Sequence, residues 1–193
     1  MSPEPLWTVF VNAALVNNFV LALFLGLCPF LGVSGRLETA IRMGTAVTFV
    51  MIVSSAAALG IDRLLIALDA TYLRLIAFIA VIASTVQLVE MFIKKVSPVL
   101  FRALGIYLPL ITTNCAILAL VLFQTTKGYG LVQSLVYALG AGTGFTLALV
   151  LMASLRERLE LAALPDLTRG TALALTLAGL LSMAFMGFGG LGG

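Results

Sequence analysis

The chain has 193 residues, 62% of them hydrophobic and 10% charged, with a net charge of +3 and no histidine. A soluble domain carries roughly 25% charged residues, so this chain has too little polar surface to coat a globule, and lipid must be the solvent for most of it. The basic residues lie in short loops between apolar runs rather than in one patch, which excludes a nucleic-acid partner, and the lack of histidine removes the usual proton shuttle and the usual zinc ligand.

The opening stretch MSPEP lacks the positive n-region of a secretory leader. The first apolar segment is therefore expected to be kept as a span. A membrane helix needs about 20 predominantly apolar residues, and six such segments follow in chain order: Leu6–Leu27, Ala40–Gly60, Tyr72–Ile93, Val99–Phe123, Leu131–Leu155 and Thr171–Phe188. The connections between them are short and hold most of the charge. The expected fold is an all-α integral membrane protein, one polytopic domain over residues 1–193.

The first, third and fifth connections, with their helix ends, hold Arg36, Arg42, Lys94, Lys95, Arg102, Arg156, Arg158 and Arg169, against Arg63, Arg74 and Lys127 on the other side. Positive loops stay in the cytoplasm, so both termini are predicted to face the periplasm. The two cysteines, Cys28 and Cys115, stand 87 residues apart. The same offset lays the first span on the fourth and the second on the fifth. Two three-helix halves, residues 1–95 and 96–193, are therefore predicted to be inverted-topology repeats.

The first and fourth spans carry breakers near their centres. FLGLCPFLGVS places Gly26, Cys28, Pro29 and Gly32 together, and LPLITTNCAILAL places Pro109, Thr112, Thr113, Asn114 and Cys115 together. Proline removes a backbone donor and crowds the preceding turn, and it pushes the residue before it, here Cys28, away from helical angles. Asn114 and the two threonines are natural N-caps. Both cysteines are thus expected near the start of a second half-helix, with the unwound backbone sheltered by protein.

Two buried thiols have three readings: small hydrophobes, a disulfide, or thiolate ligands of a metal. Two thiolates without histidine cannot close a tetrahedral zinc site, and an iron–sulfur cluster usually takes four cysteines. If these residues hold a cluster, a partner chain must bring the rest.

The stretches NNFVLALFLGLCPFLGVSGRLETAIRMG, GIYLPLITTNCAIL, TYLRLIAFIAVIASTVQLVEMFIKKVSPVLFRALG and FMGFGGL resemble the RnfA-type subunits of the Rnf electron-transport complex, in a family that also takes in RnfE, NqrD and NqrE. The resemblance implies a pair of homologous six-span subunits of opposite orientation, each giving two cysteines to a [2Fe–2S] cluster held between them. Here the implied ligands are Cys28 and Cys115, with Thr112, Thr113 and Asn114 as candidate donors behind them. The implied partners are an RnfE-like homologue together with subunits of the RnfB, RnfC, RnfD and RnfG types, in a bacterial inner membrane. The implied task is to relay electrons within a ferredoxin:NAD oxidoreductase coupled to Na⁺ or H⁺ movement. No nucleotide or flavin motif is present on this chain, so neither cofactor is expected here. The rival readings are a small secondary transporter, which also uses inverted repeats and broken helices, and a structural scaffold in which the cysteines are dispensable.

Overall fold

The computed structural model describes residues 5–96, 110–111, 113–160 and 170–188, and every regular element among them is helical. In chain order these are α1 (Leu6–Val11), running on into a π-turn at Asn12–Val16, α2 (Leu27–Val33), α3 (Leu37–Ala67), α4 (Arg74–Val96) behind a 3₁₀ turn at Thr71–Leu73, α5 (Cys115–Thr126), α6 (Leu131–Glu160) and α7 (Thr171–Met186). Among the described residues, three helical stretches, Leu37–Ala67, Thr71–Phe92 and Leu131–Leu159, are long and apolar enough to cross a membrane, and three shorter apolar ones accompany them. The outward faces agree: Leu64, Ile66, Ile76, Leu88, Phe92, Leu180 and Met183 are all more than half exposed, an apolar surface that only lipid or another protein suits.

α3 outruns its predicted span by three residues at its start and seven at its end. Nothing between Gly60 and Leu68 stops a helix, and the end comes where Asp69 takes a left-handed φ of 53°. Asp62, which lies beyond the apolar run Ala40–Gly60 and by its charge suits a solvated loop, is therefore helical instead. Asp62 sits in the last turns of α3, and its Oδ1 lies 3.0 Å from Arg74 Nε, at the start of α4. Neither atom reaches hydrogen-bond geometry, so the pair acts as a close contact of charges tying the α3–α4 corner.

The centre of the molecule is the crossing of α3 with α6. Gly44 leaves room for Thr146, and Gly142 leaves room for Thr48; a Cβ at either glycine would come within 2.6 Å and 2.5 Å of the opposing threonine. The hydroxyls of Thr48 and Thr146 meet at 3.4 Å between them. The low number on one helix meets the high number on the other, so the helices run antiparallel. The exchange of glycine for threonine across the crossing is what a two-fold axis would produce. Small residues let helix backbones approach closely where the hydrophobic effect supplies no drive.

The stretch GAGTG, residues 140–144, which contains Gly142, also serves a second neighbour. A Cβ on Gly140 would lie 2.7 Å from the Phe10 carbonyl, and one on Gly144 would lie 2.5 Å from the Ala14 carbonyl. The first broken segment therefore rests on α6 backbone to backbone. A buried polar knot holds α3, α5 and α6 further along: Ser55 Oγ donates to Gln124 Oε1 at 2.6 Å, and Gln124 Nε2 donates to the Ser55 carbonyl at 3.1 Å. Replacing Gln124 by leucine is expected to cost about 1 kcal/mol, the usual scale for interhelical hydrogen bonds in membranes, read as a lowered unfolding temperature in detergent.

Candidate functional site

The first break begins where helical bonding fails. Asn17 N–H reaches back five residues to the Asn12 carbonyl at 2.7 Å, and the chain then leaves the helix until Gly26. Unwound backbone in a membrane must find partners within the protein, and Asn18, fully buried, makes four hydrogen bonds, two of them to that backbone. Its Nδ2 donates to the Ala14 carbonyl at 3.1 Å and to the Gly144 carbonyl of α6 at 2.8 Å. Its Oδ1 accepts from Val20 N–H and Leu21 N–H at 3.0 and 3.3 Å. Ser182 of α7 donates to the Leu21 carbonyl at 2.7 Å. At the far end, Arg156 of α6 donates to the Leu31 carbonyl and to Ser34 Oγ, placing a cation at the carbonyl end of α2, where the helix dipole favours one.

The unwinding thus spans residues 17–26, ahead of the proline rather than at it. The expectation that Pro29 forces Cys28 off helical angles is corrected: Cys28 lies in the first turn of α2, with Gly26 as the preceding cap residue. A proline in a first turn costs no hydrogen bond, because N–H groups there have no helical acceptor. Asn18 and Gly26 set the break instead. Asn18 is a polar residue in an apolar run, but its partner 126 residues away on α6 leaves no local signal.

The second cysteine opens α5 as its first residue. Asn114 is the N-cap, as expected from its side-chain chemistry, and its Oδ1 accepts from Ala116 N–H at 3.0 Å. Thr113 is exposed in the turn before it. Two other candidates of this stretch, Thr112 and Pro109, lie outside the described residues.

The two breaks meet. Gly26 N–H donates to Cys115 Sγ at 2.8 Å, across 89 residues of sequence. A Cβ on Gly26 would fall 3.1 Å from Asn114 Oδ1 and 3.3 Å from Ala116 Cβ, so the cap of α2 sits directly on the start of α5. Two residues of chain reach at most about 7 Å, which brings Cys28 into the immediate neighbourhood of that sulfur. Both thiols are free and exposed at the surface of this chain, so the expectation that they are buried within it is corrected. Asn114 Nδ2 is a buried donor without a partner among the described residues.

Chemically, this junction offers two accessible soft ligands, one amide donor already on sulfur and one spare amide donor, in a polar niche walled by apolar side chains. Among the described residues no group of three or more His, Cys, Asp or Glu comes together. Two thiols are half of the donors that a four-thiolate iron site takes.

A groove of about 580 Å³ lies between α3 and α6, and its lining includes Thr45, Thr48, Thr143 and Thr146. Each of those hydroxyls donates to a carbonyl of its own helix. The polar atoms are turned to the backbone, and the remaining lining, Phe49, Ile52, Leu147 and Val150, is suited to hydrocarbon.

The profile of a family described as "Rnf-Nqr subunit, membrane protein" matches residues 6–192. A protein of Syntrophotalea carbinolica, named as the A component of an ion-translocating oxidoreductase complex, is 59% identical over 186 residues, covering 95% of each chain. Proteins of the same name from Aeromonas hydrophila and Escherichia coli K12 are 55% and 56% identical, over 94% and 95% of each chain respectively.

Proposed function

The chain belongs to the Rnf-Nqr family of membrane-protein subunits, and on that premise we propose that it works as the A-type component of an ion-translocating oxidoreductase complex in a bacterial inner membrane. In this reading Cys28 and Cys115 are half of the ligand set of a [2Fe–2S] cluster, and a homologous RnfE-like subunit of opposite orientation brings the other half. The other Rnf subunits deliver and remove the electrons, and Na⁺ or H⁺ movement is coupled to their passage. The chain forms six spans as two inverted repeats, with both termini in the periplasm.

One observation carries the reading: Gly26 N–H on Cys115 Sγ, which joins the two cysteine-bearing breaks while both sulfurs stay accessible. The glycine–threonine exchange between α3 and α6 supports the repeat, since an axis in the membrane plane relates contacts in that way. Gly44 and Gly142 are 98 residues apart, eleven more than the cysteines. The halves thus differ in the length of the stretch joining the cysteine-bearing helix to its long partner.

When bound, the cluster supplies a one-electron store inside the bilayer. The chain's own residues do three things for it. The cysteines hold the iron as thiolates. Asn18, Ser182 and Arg156 keep the ligand-bearing segment fixed by occupying its backbone groups. The dipole of α5, with its N-terminus at Cys115, offsets part of the cost of placing negative charge in lipid. Moving one electron through the whole membrane potential involves about 2.3 kcal/mol per 100 mV, enough for its passage to be coupled to an opposing ion.

The test is purification of the complex with and without this chain. Iron at two atoms per complex beyond that of the other centres, and a two-iron paramagnetic signal that needs this chain, are expected. A complex with full turnover and no such signal would overturn the proposal.

A further inference from the structure

We propose that the backbone amide of Gly26 is a positioning donor to the Cys115 sulfur that sets the electron affinity of the iron site, so that the first broken segment tunes the ligand supplied by the second. This role rests on the reading of Cys115 as an iron ligand.

The amide is free for this work because of where it stands. Gly26 is the cap residue before α2, so its N–H has no acceptor within the helix. Gly26 is itself buried, and an unpaired buried donor is costly; Cys115 Sγ at 2.8 Å is its acceptor. The geometry needs glycine on two independent grounds. Its φ of +76° is one that L side chains rarely adopt, and a Cβ there would come within 2.8 Å of Phe145 Cε2. Phe145 is fully buried and backs Gly26 with an apolar ring, which offers the amide no other acceptor on that side.

A hydrogen bond to sulfur strengthens as negative charge gathers there. It therefore stabilises the reduced form over the oxidised form and raises the potential, as hydrogen bonding does at iron–sulfur sites in general. No bond is made or broken and no proton moves. One electron arrives from the upstream redox centre of the complex and leaves to the downstream one, while the amide holds its place. A glycine present only for close packing would leave the potential unchanged.

The experiment compares the intact complex carrying Gly26→Ala, and Gly26→Ala combined with Phe145→Leu to relieve the ring contact, with the wild type. Iron content, an electron paramagnetic resonance redox titration and glycine-selective ¹⁵N labelling are the readouts. At full iron content, the variants are expected to show a reduced-to-oxidised ratio about tenfold lower at fixed ambient potential, a shift of about 59 mV for a one-electron couple. They are also expected to lose a glycine ¹⁵N coupling seen at the reduced cluster of the wild type. An unshifted midpoint overturns the role of the amide, as does an unchanged ¹⁵N coupling. Should neither variant assemble, the labelled wild type decides alone: a coupled glycine nitrogen supports the proposal, and its absence overturns it. A wild-type complex without any two-iron signal is a different result, since it removes the reading of the site itself.

Discussion

Replacing Cys115 by serine, or Cys28 by serine, is expected to erase the two-iron signal of the assembled complex and to reduce electron transfer through it more than about 100-fold, since even an outer partner of a metal site commonly costs 10–100-fold. The two variants should nevertheless assemble. Serine at 115 presents an oxygen that can accept the Gly26 N–H now held by sulfur, and Asn114 still caps α5 through Ala116 N–H. Both cysteines are exposed rather than packed into the core, so shortening the side chain opens no cavity. The combination of normal assembly with lost iron separates a ligand from a structural thiol. Wild-type turnover in both variants would leave the scaffold reading standing.

The second large effect is expected at a residue that touches no cofactor. Replacing Gly144 by valine puts a Cβ 2.5 Å from the Ala14 carbonyl and 3.0 Å from both Ala14 Cα and Asn18 Nδ2. Two of these atoms are backbone and cannot rotate away. The third is the buried amide that bonds the Gly144 and Ala14 carbonyls, so the first segment must lift off α6 and lose those bonds. Overpacking alone costs about 1–3 kcal/mol, and stranded buried donors and acceptors add about 1–3 kcal/mol each. A sum of this size approaches the whole stability of a typical domain. Little folded protein should survive extraction, measured as monodisperse yield in mild detergent. Gly179, where a Cβ would meet nothing within 4 Å, is the control: Gly179→Ala should leave the yield unchanged. Wild-type yield from the Gly144 variant would show that the segment does not rest on α6.

Composition and the 20-residue apolar runs were enough for the membrane and for the helical class, because lipid forbids open backbone and leaves the helix as the simplest answer. Breakers beside a cysteine in two places were enough to single out both breaks, and the capping chemistry of Asn114 is local and was legible as such. Boundaries were less so. The chain from Gly60 to Ala67 looked like a loop because it carries Asp62 and Arg63, yet charge does not end a helix when each residue suits one.

Residue type and short spacing were sufficient for the kind of solvent around this chain, for the class of its elements and for the side chains with metal-binding chemistry. It took the folded molecule to start the break at Asn17, to put Cys28 inside a helix and to bring Gly26 to Cys115. Those outcomes depend on backbone groups meeting across about 90 to 160 residues. A backbone N–H or carbonyl is chemically alike at nearly every position, so packing alone settles its partner.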